Sequence, residues 1–428
     1  MSAGKTATVT TVGFPDLNGT LRAKHLPATG RTGTSPDRVT FSDIVFALDI
    51  ADALMPRPAG FDGWWPEWSG GFGDLDARCD PSTDRPLAWW PRHRHVFADL
   101  YHRDAAPVAV APRQALARLA TACAAHGLTV AVGTEIEFFL TDPGGPVVPT
   151  AGTAYAASAG EPMMGRAASL LAASGIGVHS WCVEGGSGQH ELALEPVDPV
   201  QAADHVLLSR HALHQLAARH GRQAWFMAKP GPGYGNGLHL HVSIHADGEN
   251  LLTLPPGSDR PTGVGAQCLA GILETLPAAT ALVTPTVNGY KRLTAHTAAA
   301  TTATWGPDNR SVAVRHLDRG SRSRIEVRTA AGDANPYLAI AAALAGILHG
   351  IDQSPELPPP TLGDAYAAGE PLPGDLLTAT ALLSGSPPLQ RHLGDALVAH
   401  YAATRRWEAA TFAATITDWE LQRYGRPL

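Results

Sequence analysis

Three apolar segments of this chain carry charged or imidazole side chains at alternate positions. They are Glu135-Ile136-Glu137, Leu238-His239-Leu240-His241-Val242 and Arg324-Ile325-Glu326-Val327-Arg328. Successive side chains of a β-strand point to opposite faces of its sheet, so each segment would present its polar side chains on one face. A solvated outer face would explain one such strand. Three of them predict a sheet that is apolar on one side and carries a polar site on the other.

A glycine-rich turn adds two carboxylates to this set. Glu184 and Glu191 flank the segment Gly185-Gly186-Ser187-Gly188-Gln189-His190, so both stand on or beside polar strand faces. Carboxylates then outnumber imidazoles in the predicted site, and we expect no thiolate to join them. Hard, oxygen-preferring Mg²⁺ or Mn²⁺ fits such a donor set better than structural zinc.

Most of the candidate cationic partners lie in the last third of the chain. They are Arg292, Arg310, Arg315, Arg324 and Arg328. Guanidinium groups bind carboxylates and phosphates through paired hydrogen bonds, and divalent cations combined with arginines are typical of phosphoryl transfer. A surface network of ion pairs is the alternative, which the neighbouring glycines and Asn-Pro breakers disfavour. No Walker-type phosphate loop occurs in the sequence.

The wider pattern predicts an α+β fold. Two segments rich in Val, Thr and Leu are joined by Asp16-Leu17-Asn18-Gly19, which favours an opening β-hairpin. Pro112 starts a helical pattern, so a second domain begins near residue 107, with an antiparallel or mixed sheet. Further helices are predicted at 162–173, 198–221 and 335–351. We expect irregular loops at 49–91 and a surface connector at 355–373.

Charge and cysteine content exclude some classes of protein. The 428 residues carry a formal net charge of −7, which leaves no basic surface for a nucleic acid. The four cysteines form no Cys-x-x-Cys pair, and residues 1–5 begin no apolar leader, so we expect a reduced, cytoplasmic protein. The longest apolar run, 338–348, is about half of a membrane span, so we expect a buried helix and no membrane partner.

The segment Gly235-Asn236-Gly237-Leu238-His239-Leu240-His241-Val242-Ser243 resembles the ATP-binding signature of the glutamine synthetase family. Other segments resemble further motifs of that family in the same order: Glu135-Ile136-Glu137-Phe138, the turn from Glu184 to Glu191, Asn288-Gly289-Tyr290-Lys291-Arg292-Leu293, Asn309-Arg310-Ser311, Arg324 to Arg328, and Asp333-Ala334-Asn335-Pro336-Tyr337-Leu338. The resemblance implies a small β-grasp-like N-terminal domain (1–106). A catalytic domain that binds ATP and glutamate (107–428) would follow, with a curved antiparallel sheet flanked by helices.

The resemblance also implies a role for each polar residue. Glu137, Glu184 and Glu191 would hold one metal ion, and Glu135, His239 and Glu326 would hold another. ATP would be bound by His241, Ser243, Arg315 and Arg324, and Arg310 would be the catalytic residue that neutralises the transferring phosphoryl group. Glutamate would be bound by Gly235, Arg292 and Arg328. The resemblance therefore implies at least two Mg²⁺ or Mn²⁺ ions per site, and a homo-oligomer such as a dodecamer of two hexameric rings.

The sequence departs from the family where ammonium is handled. Authentic glutamine synthetases carry a flap glutamate in a Tyr-Glu-Ala-Pro stretch, and this position falls on Ala298 here. Their Asp-Gly-Ser-Ser loop is also missing, since the region reads Phe46-Ala47-Leu48-Asp49-Ile50-Ala51. An ammonium ion would lose both anionic contacts. The departures resemble the branch of the family that makes γ-glutamyl amides of larger amines.

Three functions follow as hypotheses. The first is an ATP-dependent ligase of glutamate and an organic amine, with Trp64, Trp65 or Trp68 as an apolar wall for the amine. The second is ordinary glutamine synthesis, in which Glu67 or Asp49 of a neighbouring subunit replaces the flap carboxylate. The third is a silenced structural or regulatory paralogue, which the retention of costly paired charges disfavours.

Overall fold

The computed structural model describes residues 9–27, 36–144, 154–156 and 162–425. Two sheets and ten α-helices make up this part of the chain. The first sheet lies within residues 9–101, and the second within residues 129–327. This arrangement confirms the predicted α+β class, whereas the domain boundary at 106/107 stays a prediction.

The first sheet has six strands in the order β2-β1-β6-β4-β3, with β5 paired to β6. Their bounds are β1 Val9–Pro15, β2 Leu21–Pro27, β3 Arg38–Ser42, β4 Asp74–Cys79, β5 Arg85–Pro86 and β6 His93–Tyr101. The predicted hairpin joins β1 to β2, and its turn is closed by Asp16, whose Oδ1 accepts from the Asn18 and Thr20 amides at 2.9 Å. Gly19 supplies the positive φ of 77° that this turn requires.

The second sheet has nine strands in the order β13-β14-β15-β11-β7-β9-β8, with β10 paired to β7 and β12 to β11. Their bounds are β7 Thr129–Thr141, β8 Val178–Val183, β9 Gln189–Val197, β10 Gln223–Trp225, β11 Leu238–Ala246, β12 Glu249–Asn250, β13 Trp305–Pro307, β14 Val314–Leu317 and β15 Arg324–Val327. All neighbours are antiparallel except β13 and β14, which are parallel. The predicted antiparallel sheet is therefore mixed at one edge.

The helices are α1 Pro112–Ala125, α2 Pro162–Ala172, α3 Pro199–Arg219, α4 Gly263–Val283, α5 Val287–Tyr290, α6 Pro336–Gln353, α7 Leu376–Ser384, α8 Pro387–Leu393, α9 Asp395–Ala414 and α10 Asp418–Tyr424. The four predicted helices correspond to α1, which begins at Pro112, and to α2, α3 and α6. Asn335 caps α6 because its side chain accepts from the Tyr337 amide at 3.0 Å. By length and composition α4 alone among the described helices could cross a membrane, but most of it is buried inside the protein.

The two sheets share one continuous apolar core. A buried ion network also joins them, because Arg113 of α1 donates to Asp80 and Asp99 at 2.9 Å and to Asp204 of α3 at 3.2 Å. Two buried helices, α4 and α6, pack against each other at glycine contacts.

Two structural predictions from the sequence are wrong. The segment 49–91 contains a regular strand, β4, within the stretch predicted as irregular loops. The segment 355–373 is no simple surface connector, because its backbone is hydrogen-bonded to residues 301–305: the Thr361 amide donates to the Trp305 carbonyl at 2.8 Å and the Leu372 amide to the Thr301 carbonyl at 2.9 Å. The proline-rich composition of this segment could not show what its backbone pairs with.

Candidate active site

Strand register brings the alternating polar side chains together. His239 on β11 lies opposite Glu135 on β7, and His241 lies opposite Glu326 on β15. On the other side of β7, Glu137 lies opposite Glu191 of β9. The polar faces of four neighbouring strands therefore form one surface, as the side-chain alternation predicted.

One cluster on this surface contains Glu135, His239 and Glu326. The His239 Nδ1 atom lies 3.1 Å from Glu135 Oε2 and 3.4 Å from Glu326 Oε1. One donor atom from each residue falls within 4.8 Å of the others. His239 is 5% exposed, and its Nε2 has no hydrogen-bond partner among the described residues. Two carboxylates and an imidazole with a free buried nitrogen fit a divalent cation.

A second cluster contains Cys182, Glu184 and Glu191. The Cys182 Sγ atom lies 3.7 Å from Glu184 Oε1 and 3.8 Å from Glu191 Oε1. The expectation that no thiol joins the carboxylates is therefore wrong. Cys182 stands two residues before Glu184 and pairs with Glu191 across β8 and β9, so the same alternation would have found it. Glu137 lines the cavity that Glu184 and Glu191 also line, but it is not one of the three clustered donors.

Glu137 lies between the two clusters. Its Oε2 accepts a hydrogen bond from the Gly237 amide, and its Oε1 lies 3.9 Å from His239 Nε2. A side chain on Gly237 would collide with His239, because its Cβ would lie 2.7 Å from the Nε2 atom. Glycine at this position is therefore what allows the strand backbone to approach the carboxylate.

The acidic residues repel one another where no cation separates them. Burial and the charges of Glu135 and Glu184 raise the pKa of Glu191 to about 9. Burial and the charge of Glu137 also raise the pKa of Glu184. By contrast, hydrogen bonds with His239 and His241 overcome the effect of burial and lower the pKa of Glu135 far below its ordinary value. A divalent cation would relieve this repulsion, which is a second reason why the donors fit a metal.

Two arginines hold Glu326 in the site. Arg315 Nη1 donates to Glu326 Oε2 at 2.9 Å, and Arg328 Nη1 forms an ion pair with Glu326 Oε1. The charges of Arg328 and His239 overcome the effect of burial and lower the pKa of Glu326. Arg315 also pairs with Asp308. Both arginines line the cavity, so each is a cationic group beside the candidate metal ligands.

Two further arginines differ in exposure. Arg292 is 3% exposed and reaches the carbonyls of Thr329 and Arg328 only at 3.4 Å. Arg310 is exposed at the cavity and forms no ion pair with any residue in the described ranges. Both side chains therefore retain capacity to bind an anionic ligand.

The cavity has a volume of about 170 Å³ and an acidic floor. The predicted residues that line it are Glu135, Glu137, Glu184, Glu191, Gly235, His239, Arg292, Ala298, Arg310, Arg315, Glu326 and Arg328. The sequence analysis did not assign Tyr155, Gln189, Tyr234 or Thr297, which also line it. Of these, only Gln189 had a signal, since it lies two residues before Glu191 on one face of β9.

Three predicted nucleotide ligands lie beside the cavity without lining it. His241 Nε2 contacts Glu135 Oε1 at 2.8 Å, and Arg324 Nε donates to His241 Nδ1 at 3.2 Å. Ser243 follows on the same face of β11. His241 and Arg324 thus continue the polar surface of the cavity along β11 and β15.

Ala298 lies at the cavity in a left-handed backbone conformation, with φ of 61°. Its carbonyl accepts from Arg328 Nη2 at 3.2 Å. Every carboxylate that lines the cavity comes from the strands or from the turn between β8 and β9, and none from the segment 294–300. In the described residues, the segment 294–300 therefore brings Ala298 and no carboxylate to the cavity.

The expected tryptophan wall is wrong for the site within one chain. None of Trp64, Trp65 and Trp68 lines the cavity among the residues that the structure describes. Trp65 is buried instead against α9, where its ring stacks on His400 with centroids 4.5 Å apart. Trp68 is 78% exposed and contacts Phe72.

The sequence and structure are similar to known enzymes. A family model described as "Glutamine synthetase, catalytic domain" matches residues 109–424. A gamma-glutamylethanolamide synthetase from Streptomyces coelicolor is 34% identical over 99% of this chain and 93% of its own length. A glutamate–isopropylamine ligase from a Pseudomonas species is 29% identical over 96% of this chain and 94% of its own. Other relatives of comparable identity are named glutamine synthetases.

The fold comparison gives the same result. A solved structure described as a GmaS/ADP complex has a TM-score of 0.85 and 30% identity, and it covers 98% of this chain and 97% of its own. The family model spans both candidate metal clusters, the arginines and the flap segment. Because the match covers most of the chain and the fold agrees, this protein belongs to the glutamine synthetase family.

Proposed function

We propose that this protein is an ATP-dependent ligase that joins the γ-carboxyl group of glutamate to an organic amine. The observation that carries the proposal is Ala298, which puts a methyl group and a backbone carbonyl where the family flap has a carboxylate. The relatives named for synthesis of a γ-glutamylethanolamide and for ligation of glutamate to isopropylamine support it. The family uses ATP and divalent metal ions, and for this chain we propose Mg²⁺ or Mn²⁺.

The residues of the cavity are suited to the first half-reaction. We propose Glu137, Glu184 and Glu191 around one metal and Glu135, His239 and Glu326 around the other. When bound, such ions neutralise phosphate charge and act as Lewis acids. The γ-carboxylate of glutamate attacks the terminal phosphorus of ATP, ADP leaves, and a γ-glutamyl phosphate forms.

Cationic groups would hold the two substrates in this step. Arg310, which has no ion pair with the described residues, would neutralise the transferring phosphoryl group. Arg292, Arg328 and the backbone of Gly235 would bind glutamate. A Cβ on Gly235 would lie 2.3 Å from the Ala228 carbonyl, so only glycine keeps this backbone available. His241, Ser243, Arg315 and Arg324 would bind the nucleotide phosphates.

The second half-reaction determines the acceptor. The amine nitrogen attacks the γ-carbonyl carbon, phosphate leaves, and the nitrogen loses a proton. General-base assistance to such a step is worth about 10² to 10⁴ in rate. The carboxylates of the cavity are committed to the two clusters or, for Glu137, to the Gly237 amide. An amine that reaches the site in its neutral form therefore loses less rate from the lack of a general base than ammonium does.

We also propose a cytoplasmic homo-oligomer whose N-terminal domain ends near residue 106. In such an assembly, a neighbouring subunit would complete the wall of the amine site. A dodecamer of two hexameric rings is the arrangement that the family resemblance implies.

The test is an ADP-release assay with ATP, glutamate and one acceptor at a time. The acceptors are ammonium, ethanolamine, isopropylamine, putrescine and an arylamine. We expect at least one organic amine to exceed ammonium in kcat/KM, with a γ-glutamyl amide seen by mass spectrometry. His239→Ala should abolish ADP release, whereas His245→Ala, on the same face of β11 but outside the cavity, should retain it. Preference for ammonium would favour glutamine synthesis, and no turnover with any acceptor would favour a silenced paralogue.

A further inference from the structure

Cys182 occupies a position that the proposed metal site does not account for. Its thiol lies within 3.8 Å of one oxygen of both Glu184 and Glu191. Cys182 and Glu191 are directly paired across β8 and β9, so the backbone register fixes their proximity. Cys79, Cys123 and Cys268, the other free cysteines, belong to neither candidate metal cluster among the described residues.

In the metal-free protein the thiol is a hydrogen-bond donor. The Cys182 thiol donates toward Glu184 Oε1 at 3.7 Å and toward Glu191 Oε1 at 3.8 Å. A cation between the three groups would take the place of that proton. The sulfur can then bind the ion as a thiolate, because the positive charge of the ion offsets the repulsion between the thiolate and the two carboxylates.

The observed separations fit ligands of one ion. Metal bonds of about 2.3 Å to sulfur and about 2.1 Å to oxygen place two tetrahedral ligands about 3.6 Å apart. The two sulfur–oxygen distances, 3.7 and 3.8 Å, lie close to that value. Glu184 and Glu191 line the same cavity as His239, whose buried Nε2 atom has no partner in the described part of the chain. This second observation also indicates that the cavity takes a ligand.

We propose that Cys182 is a thiolate ligand of the metal site formed with Glu184 and Glu191. The sulfur–hydrogen bond breaks, a sulfur–metal bond forms, and the proton passes to solvent. A thiolate raises the affinity of an otherwise oxygen-rich site for softer ions such as Zn²⁺, Co²⁺ and Cd²⁺ relative to Mg²⁺. The inference rests on the metal site of the proposed function, but it does not depend on which acceptor the enzyme uses.

The test is a Co²⁺ titration of the full chain, without ATP or glutamate, followed by near-ultraviolet absorption. Thiolate coordination gives a sulfur-to-metal charge-transfer band. We expect this band in the natural protein and in Cys79→Ser, which changes another half-buried free cysteine. Cys182→Ser should lose the band, and its affinity for Zn²⁺ should fall by about tenfold or more while its affinity for Mg²⁺ changes less than about threefold.

Two outcomes would overturn the inference: no charge-transfer band in the natural protein, or an unchanged band and unchanged Zn²⁺ affinity in Cys182→Ser. Circular dichroism of each variant separates loss of the ligand from loss of the fold. Ligase activity with Mg²⁺ is measured on the same samples. A protein that binds Co²⁺ through sulfur but ligates no amine would contradict the proposed function while leaving the role of Cys182 intact.

Discussion

At the scale of single residues, the electrostatics of the site depend on which carboxylates have a cationic partner. Glu326 is fixed by Arg315 and Arg328, whereas Glu184 and Glu191 have no comparable cationic partner in the described ranges. The metal clusters are therefore asymmetric. One is organised by arginines before a cation binds, and the other depends on the cation for its own electrostatic relief.

The first prediction concerns Ala298. Ala298→Glu should restore an anionic group at the cavity, so the ratio of kcat/KM for ammonium to that for the best organic amine should rise by about tenfold or more. Ala298→Gln is the matched control, since it has nearly the same volume without the charge. Both substitutions bear the same strain at a φ of 61°. An equal change in the two variants would show that size, rather than charge, selects the acceptor.

The second prediction concerns His95, which is fully buried in the first sheet with neither ring nitrogen hydrogen-bonded to a described residue. Burial and the nearby His211 and Arg85 lower its pKa to about 3. Between pH 6.5 and 3 the unfolded chain binds more protons at His95 than the folded chain does. The stability that depends on a neutral His95 is therefore fully present above pH 6.5 and is lost as the pH falls toward 3.

His95→Leu should therefore flatten the decline of the free energy of unfolding below pH 6.5, where one group contributes a slope of up to about 1.4 kcal/mol per pH unit. Urea denaturation at a series of pH values measures this slope. His179→Leu, which removes an imidazole that is 69% exposed, is the matched control. Equal slopes in the natural protein and His95→Leu would contradict the assignment.

At the scale of elements, the α4–α6 pair depends on close backbone contact. A Cβ on Gly271 of α4 would lie 2.3 Å from the Gly346 carbonyl of α6, and a Cβ on Gly350 would lie 2.1 Å from the Gln267 carbonyl. Apolar composition predicted a buried helix at 335–351, and the glycines are what let a second apolar helix reach it.

The third prediction follows from this contact. Gly271→Ala should lower the free energy of unfolding by about 1–3 kcal/mol, because its methyl group must displace backbone atoms. Gly165→Ala, in α2, is the control: its nearest neighbour would lie 3.9 Å away, so the helix should be unaffected or gain up to about 1 kcal/mol. Chemical denaturation measures both. A neutral Gly271→Ala would show that the two helices separate at little cost.

At the scale of the whole molecule, large apolar side chains near the end of the described chain are exposed to solvent. Ile416, Trp419, Leu421 and Tyr424 are each 59–73% exposed. All lie on or beside α10, which begins at a capping box formed by Thr417 and Glu420. An ordered helix with large exposed apolar groups is typical of an interaction surface, and the proposed homo-oligomer supplies a second copy to cover it.

The fourth prediction tests this surface. Trp419→Glu should shift the particle to a smaller species in light scattering, because a buried charge opposes the subunit contact. Leu362→Glu introduces the same charge at a leucine that is 75% exposed elsewhere, and it should leave the mass unchanged. If the two variants have the same mass as the natural protein, α10 is not a subunit contact.

The sequence by itself determined the local order of this protein. Alternation placed Glu135, His239 and Glu326 on polar strand faces, and caps such as Asn335 marked the helix starts, because these signals depend only on neighbours along the chain. The alternation of helix and strand patterns predicted the α+β class, and the family motifs added the ligase class. The alternation at Cys182 and Gln189 was equally local but went unused in the sequence analysis.

Tertiary structure alone decided which faces meet. It brought Tyr155, Tyr234 and Thr297 to the cavity, turned the Ala298 carbonyl toward Arg328, and paired the segment 355–373 with residues 301–305. It also placed Trp64, Trp65 and Trp68 outside the cavity of their own chain. These contacts join residues that are far apart in sequence, and their energy comes from packing and charge between elements. No periodicity along one element carries that information, so only the folded chain could show it.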